Sequence, residues 1–151
     1  MNQNVPVPSP YPRPKLYSMA GIDVATFFGS WLAGAVLVSR NYRSLGEHDA
    51  ARNALLLGVV STLALAFVIY SIVVPATARV DAHVILAAQV AAVHLVVSWV
   101  QGDALESHAS TGGEFFSRWR AFGVSLLVLP VAMVLFMIVA ALFPNLPALR
   151  K

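Results

Sequence analysis

Residues 21–46 read GIDVATFFGSWLAGAVLVSRNYRSLG. The apolar run from Ile22 to Ser39 is long enough to enter a bilayer, and it leaves through a basic, aromatic exit that ends at Gly46. At 100° per residue, Ala25, Thr26, Gly29, Ser30, Ala33 and Gly34 share one half of a helix. Val24, Phe27, Phe28, Trp31, Leu32 and Val38 occupy the other half. In lipid no hydrophobic drive brings helices together, so small residues that let backbones approach mark the packing side. The small face is therefore read as buried packing, with Ala25, Gly29, Ala33 and Gly34 as its contacts. The bulky face, with Phe28 and Trp31, is read as the side that meets lipid or a partner.

The rest of the chain repeats this theme of apolar span and polar connection. Hydrophobic residues make up 58% of the 151 positions and charged residues 11%, with a mean hydropathy of +0.74. A soluble domain carries about 25% charged residues, so most of this surface faces lipid. A second span is read at about 53–74, with Gly58, Ser61 and Thr62 on one side and Pro75 closing it. Glu47 and Asp49 suit the first turn of that helix, where acids complement the dipole, and Gly46 suits a left-handed cap before it. A third span is read at about 83–101 and a fourth at about 121–143, the latter with Pro130 inside. Each is near the twenty residues that cross a hydrocarbon core of about 30 Å.

These spans predict an all-α, integral membrane four-helix bundle of antiparallel up-down topology over residues 21–145. It would be preceded by a flexible proline-rich tail at 1–20 and followed by a short basic tail at 146–151. Four spans put both termini on one side. Basic residues then divide evenly, with Arg13, Lys15, Arg79, Arg150 and Lys151 facing Arg40, Arg43, Arg52, Arg118 and Arg120. The rule that favours basic loops in the cytoplasm is tied, and only the acid-free N-terminal tail points the termini to that side.

The chemistry is sparse. No cysteine is present, which excludes disulfides and thiolate sites. The net charge of +3 comes from bases flanking apolar spans, so it speaks for lipid and topology, not for nucleic acid. His83, Ala87, Ala91, His94, Ser98 and Gln101 recur at spacings of three or four along the third span. Polar groups in lipid are costly unless partnered, so that stripe is expected to face the bundle interior. There it would join Thr26, Ser61 and Thr62 as a candidate polar interior. His94, at mid-span, is either a proton relay or ligand, or a structural imidazole bonded to a neighbouring hydroxyl or carbonyl. Asp23 is either a first-turn acid or a carboxylate paired with Lys15 or Arg79. No second histidine lies at membrane depth on another span for haem, and His48, Asp49, Glu106 and His108 lack helical metal-ligand spacing. No cofactor, metal or catalytic residue is expected.

Lys15-Leu16-Tyr17-Ser18, Ile22, Ala25-Thr26-Phe27-Phe28-Gly29, Leu32-Ala33-Gly34 and Arg40 to Gly46 together resemble a group of small bacterial four-helix membrane proteins. These open with a YS…ATFLGGPLAG…NY..LG pattern and have no assigned activity. The chain departs from the pattern at Ser30-Trp31, where the group has glycine and proline. The resemblance implies a bacterial inner (cytoplasmic) membrane location. From the residues themselves, two functions are expected ahead of an enzyme. One is a non-enzymatic membrane protein that binds another protein, as an accessory subunit or a toxin-immunity protein. The other is a homo-oligomeric channel or small transporter built around His94.

Overall fold

A computed structural model describes residues 14–73 and 81–144. Among these residues the chain forms four α-helices: α1 (Met19–Ser44), α2 (His48–Val68), α3 (Ala82–Ser110) and α4 (Arg118–Leu142). A single π-helical turn, Ile69–Val73, extends α2. All four helices are long and apolar enough to cross a membrane. The expected all-α bundle is present, and α4 runs through Pro130 without interruption. The outer parts of the expected tails, residues 1–13 and 146–151, lie outside the described residues.

The straight first helix expected from the sequence is interrupted within α1. Ser30 has φ 75° and ψ 178°, a non-helical corner in mid-helix. At a rise of 1.5 Å per residue, Tyr17 and Asn41 would stand about 36 Å apart along a straight helix. Instead the Tyr17 N–H donates to Asn41 Oδ1 at 2.7 Å, and Asn41 Nδ2 donates to the Tyr17 carbonyl at 2.9 Å. The Arg40 guanidinium likewise reaches the Tyr17 hydroxyl at 3.3 Å. So 19–29 and 31–44 are two antiparallel half-helices, and the chain enters and leaves α1 at the same end of the bundle.

That hairpin explains the small residues. A Cβ placed on Gly29 would lie 2.7 Å from the Ala33 Cβ, and one on Gly34 would strike the Thr26 hydroxyl. The small side chains mainly let the two halves of one helix close on each other. Further contacts radiate outward, from Gly29 to Ser125 of α4 and from Gly34 to Val93 of α3. Gly58 of α2 sits against Ala35. Ala25, Gly29, Ala33, Gly34 and Gly58 are all buried, as expected. The hairpin is the hub. It packs against α2, α3 and α4, while α2 also meets α4.

The open end of the hairpin, hereafter the mouth, is closed by the end of the tail expected to be flexible and by the segment that leads into α4. Leu16 and Tyr17 are almost wholly buried. Leu16 forms a parallel bridge with Phe115, with the Phe116 N–H donating to the Leu16 carbonyl at 2.8 Å. The Tyr17 and Phe116 rings lie 4.7 Å apart, and the Arg120 guanidinium sits 4.0 Å above the Phe116 ring. Lys15 pairs with Glu114 at 2.5 Å, and that ammonium holds the exposed Glu114 carboxyl below its ordinary range. The flexible tail expected over 1–20 is thus tied down from Lys15 onward.

Other boundaries shift for local reasons. α3 continues past the expected end at Gln101 to Ser110 and stops where Gly112 turns left-handed at φ 77°. Its last turns, residues 102–110, are polar, so hydropathy under-reads them. Gly46, at φ 83°, ends the hairpin as expected.

Candidate functional site

Two polar constellations join α1 to α3. The first is a buried network at the mouth. Asn41 Nδ2, already bonded to Tyr17, also reaches Gln101 Oε1 at 3.4 Å, and Gln101 Nε2 donates to the Val38 carbonyl at 3.2 Å. Tyr42 adds a bond from its hydroxyl to the Val100 carbonyl at 3.1 Å. Asn41 and Tyr17 carry the latch yet were not singled out from the sequence. The signal was there in the resemblance, because the YS and NY ends of the pattern are the two ends that meet.

The second constellation lies deeper. His94 Nδ1 is 2.9 Å from Asp23 Oδ2. The Asp23 side chain is mostly buried, whereas that of His94 is 49% exposed. A carboxylate accepts, so Nδ1 donates to Asp23 and Nε2 is the ring nitrogen left toward the exposed side of His94. Asp23 Oδ1 is buried with no hydrogen-bond partner. Asp23 therefore pairs with neither Lys15, which goes to Glu114, nor with the dipole of a first turn; Arg79 lies outside the described residues. His94 pairs with a carboxylate and not with a hydroxyl or carbonyl.

The expected polar interior does not assemble. Thr26 donates to the Ile22 carbonyl and Thr62 to that of Gly58. Ser61 donates to the Leu57 carbonyl and Ser98 to that of Leu95. Each hydroxyl closes on its own helix, and only Asp23 and His94 come together. The stripe on α3 is also more exposed than expected. Gln101 is buried, but His83, Ala87, Ala91, His94 and Ser98 are exposed. The cause is the hairpin: the folded-back halves of α1 supply the small surface that a fourth span would have offered, and α3 rests on it along one edge.

Between α2 and α3, with the hairpin as floor, runs a groove of about 480 Å³. Its lining is small and apolar, including Gly34, Ala35, Ala54, Gly58 and Val93, with Trp31 at its inner end. The Trp31 Nε1 atom is buried without a partner. Trp31 thus faces this groove, while Phe28 leans edge-on against Phe122 of α4 at 4.9 Å and stays 47% exposed. The bulky face expected on one side of a single helix is split between two surfaces. Near the mouth, His108 Nε2 donates to the Glu114 carbonyl at 3.1 Å, and His48, Asp49 and Glu106 are exposed. No three His, Asp or Glu residues approach closely enough to share a metal among the described residues.

The fold and these sites define a multi-pass helical membrane protein organised on a helical hairpin. Comparison with protein-family models, curated proteins and solved structures finds no match.

Proposed function

We propose that the protein acts by binding, not by catalysis: it is a membrane subunit that docks a transmembrane helix of another protein chain along α3. The observation that carries this reading is the outward stripe of α3. Ala87, Ala91, His94 and Ser98 follow the three-four spacing of a helix seam and are exposed. Small residues allow close approach in lipid, and histidine and serine add interhelical bonds. Left against lipid, the outer face of His94 would hold an unpaired polar atom at membrane depth, which is costly. A partner donor at that level satisfies it. The channel alternative would need the hydroxyls of Thr26, Ser61, Thr62 and Ser98 to line a common path, and their bonds within their own helices favour binding instead.

The test uses the cysteine-free chain. In native membranes, Ala91→Cys should crosslink to a neighbouring chain, whereas Leu127→Cys on the outer side of α4 should not. Crosslinking at neither position, or equally at both, removes the reading.

A further inference from the structure

We infer that the chain crosses the bilayer three times with its N-terminal side in the cytoplasm and its C-terminal side outside, and that the mouth of the hairpin is a docking surface for anionic phospholipid headgroups. The half-helix 19–29 rises about 16 Å, roughly half of a hydrocarbon core of about 30 Å. The hairpin therefore dips in and returns, and only α2, α3 and α4 run from face to face. Two aromatic pairs mark the far face: Phe67 with Phe143 at 5.4 Å and Tyr70 with Phe136 at 6.3 Å.

This path regroups the charges. Every described Lys and Arg, namely Lys15, Arg40, Arg43, Arg52, Arg118 and Arg120, belongs to the mouth face. In sequence Arg13 adjoins that face, whereas Arg79 falls between α2 and α3 and Arg150-Lys151 follow α4. A tally of five against five for four spans becomes seven against three. Basic residues near span ends set orientation toward the cytoplasm. Among the described residues, no carboxylate lies within ion-pairing distance of Arg43, Arg52 or Arg118, so these guanidiniums are free for phosphate. Trp99 and Trp119, 89% and 79% exposed, ring the same end as interfacial anchors. Anionic lipid of the cytoplasmic leaflet attracts such clusters.

Single cysteines test the path in the full chain, using a membrane-impermeant maleimide on intact cells. His83→Cys and Pro144→Cys should label from outside. Pro14→Cys, Glu47→Cys and Glu106→Cys should label only after permeabilisation. Pro14→Cys and Glu47→Cys on opposite sides would overturn the hairpin, and the reverse pattern at all five sites would overturn the orientation. For the lipid, purified protein in phosphatidylcholine vesicles should immobilise spin-labelled phosphatidylglycerol more than spin-labelled phosphatidylcholine. The triple variant Arg43→Gln/Arg52→Gln/Arg118→Gln should lose that preference. Equal immobilisation of both lipids by the parent protein would overturn the docking surface.

Discussion

Ser30 is the residue on which the fold turns. Its φ of 75° with ψ of 178° lies in a region that glycine alone adopts freely. Its hydroxyl is also buried without a partner. The pattern that this chain resembles has glycine here and proline next, and each suits the corner: glycine for the positive φ, proline for the first position of the second half-helix. Ser30→Gly should therefore stabilise the protein by about 1–3 kcal/mol, the usual cost of such a backbone conformation. Thermal unfolding in detergent measures it. A variant less stable than the parent would mean that Ser30 is held by something other than strain tolerance.

At the scale of the element, α1 works as a pair of half-helices closed by small residues. A side chain on Gly29 would meet Ala33 on one side and the Ser125 backbone 2.8 Å away on the other, and neither can move aside cheaply. Gly29→Leu should destabilise the hairpin by about 1–3 kcal/mol or more, the cost of overpacking a tight contact. Phe28→Leu forfeits one edge-to-face contact with Phe122 and should cost clearly less. Equal losses at the two positions, in parallel unfolding measurements, would refute the assignment of Gly29 to the closed seam. α3 is the opposite kind of element. It is held by Asn41, Gln101, Tyr42, Asp23 and His94 through hydrogen bonds, with little apolar cover of its own.

For the whole molecule, Asn41 is the latch that ties the N-terminal segment, the hairpin and α3 into one body. Asn41→Leu would leave the Tyr17 N–H, the Tyr17 carbonyl and Gln101 without this partner. An unpaired buried polar group costs about 1–3 kcal/mol. The variant should unfold at markedly lower temperature and expose Leu16 and Tyr17 to proteolysis. Parent-like stability would show that the mouth is closed mainly by the Leu16–Phe115 bridge.

The sequence by itself determined the material: a cysteine-free, all-helical chain made for lipid, its first helix end near Gly46, and the small residues that pack. Those follow from hydropathy, glycine backbone freedom and side-chain size, which are local. The tertiary structure alone decided that the first span is two half-helices, because a helical wheel assumes a straight axis and one unfavourable torsion at Ser30 breaks it. From that single corner follow the burial of Leu16 and Tyr17 at the mouth, the partnership of Asp23 with His94 and the exposure of most of the α3 stripe. Residues 24 or 71 positions apart meet only through the path of the chain, and no local period encodes that path.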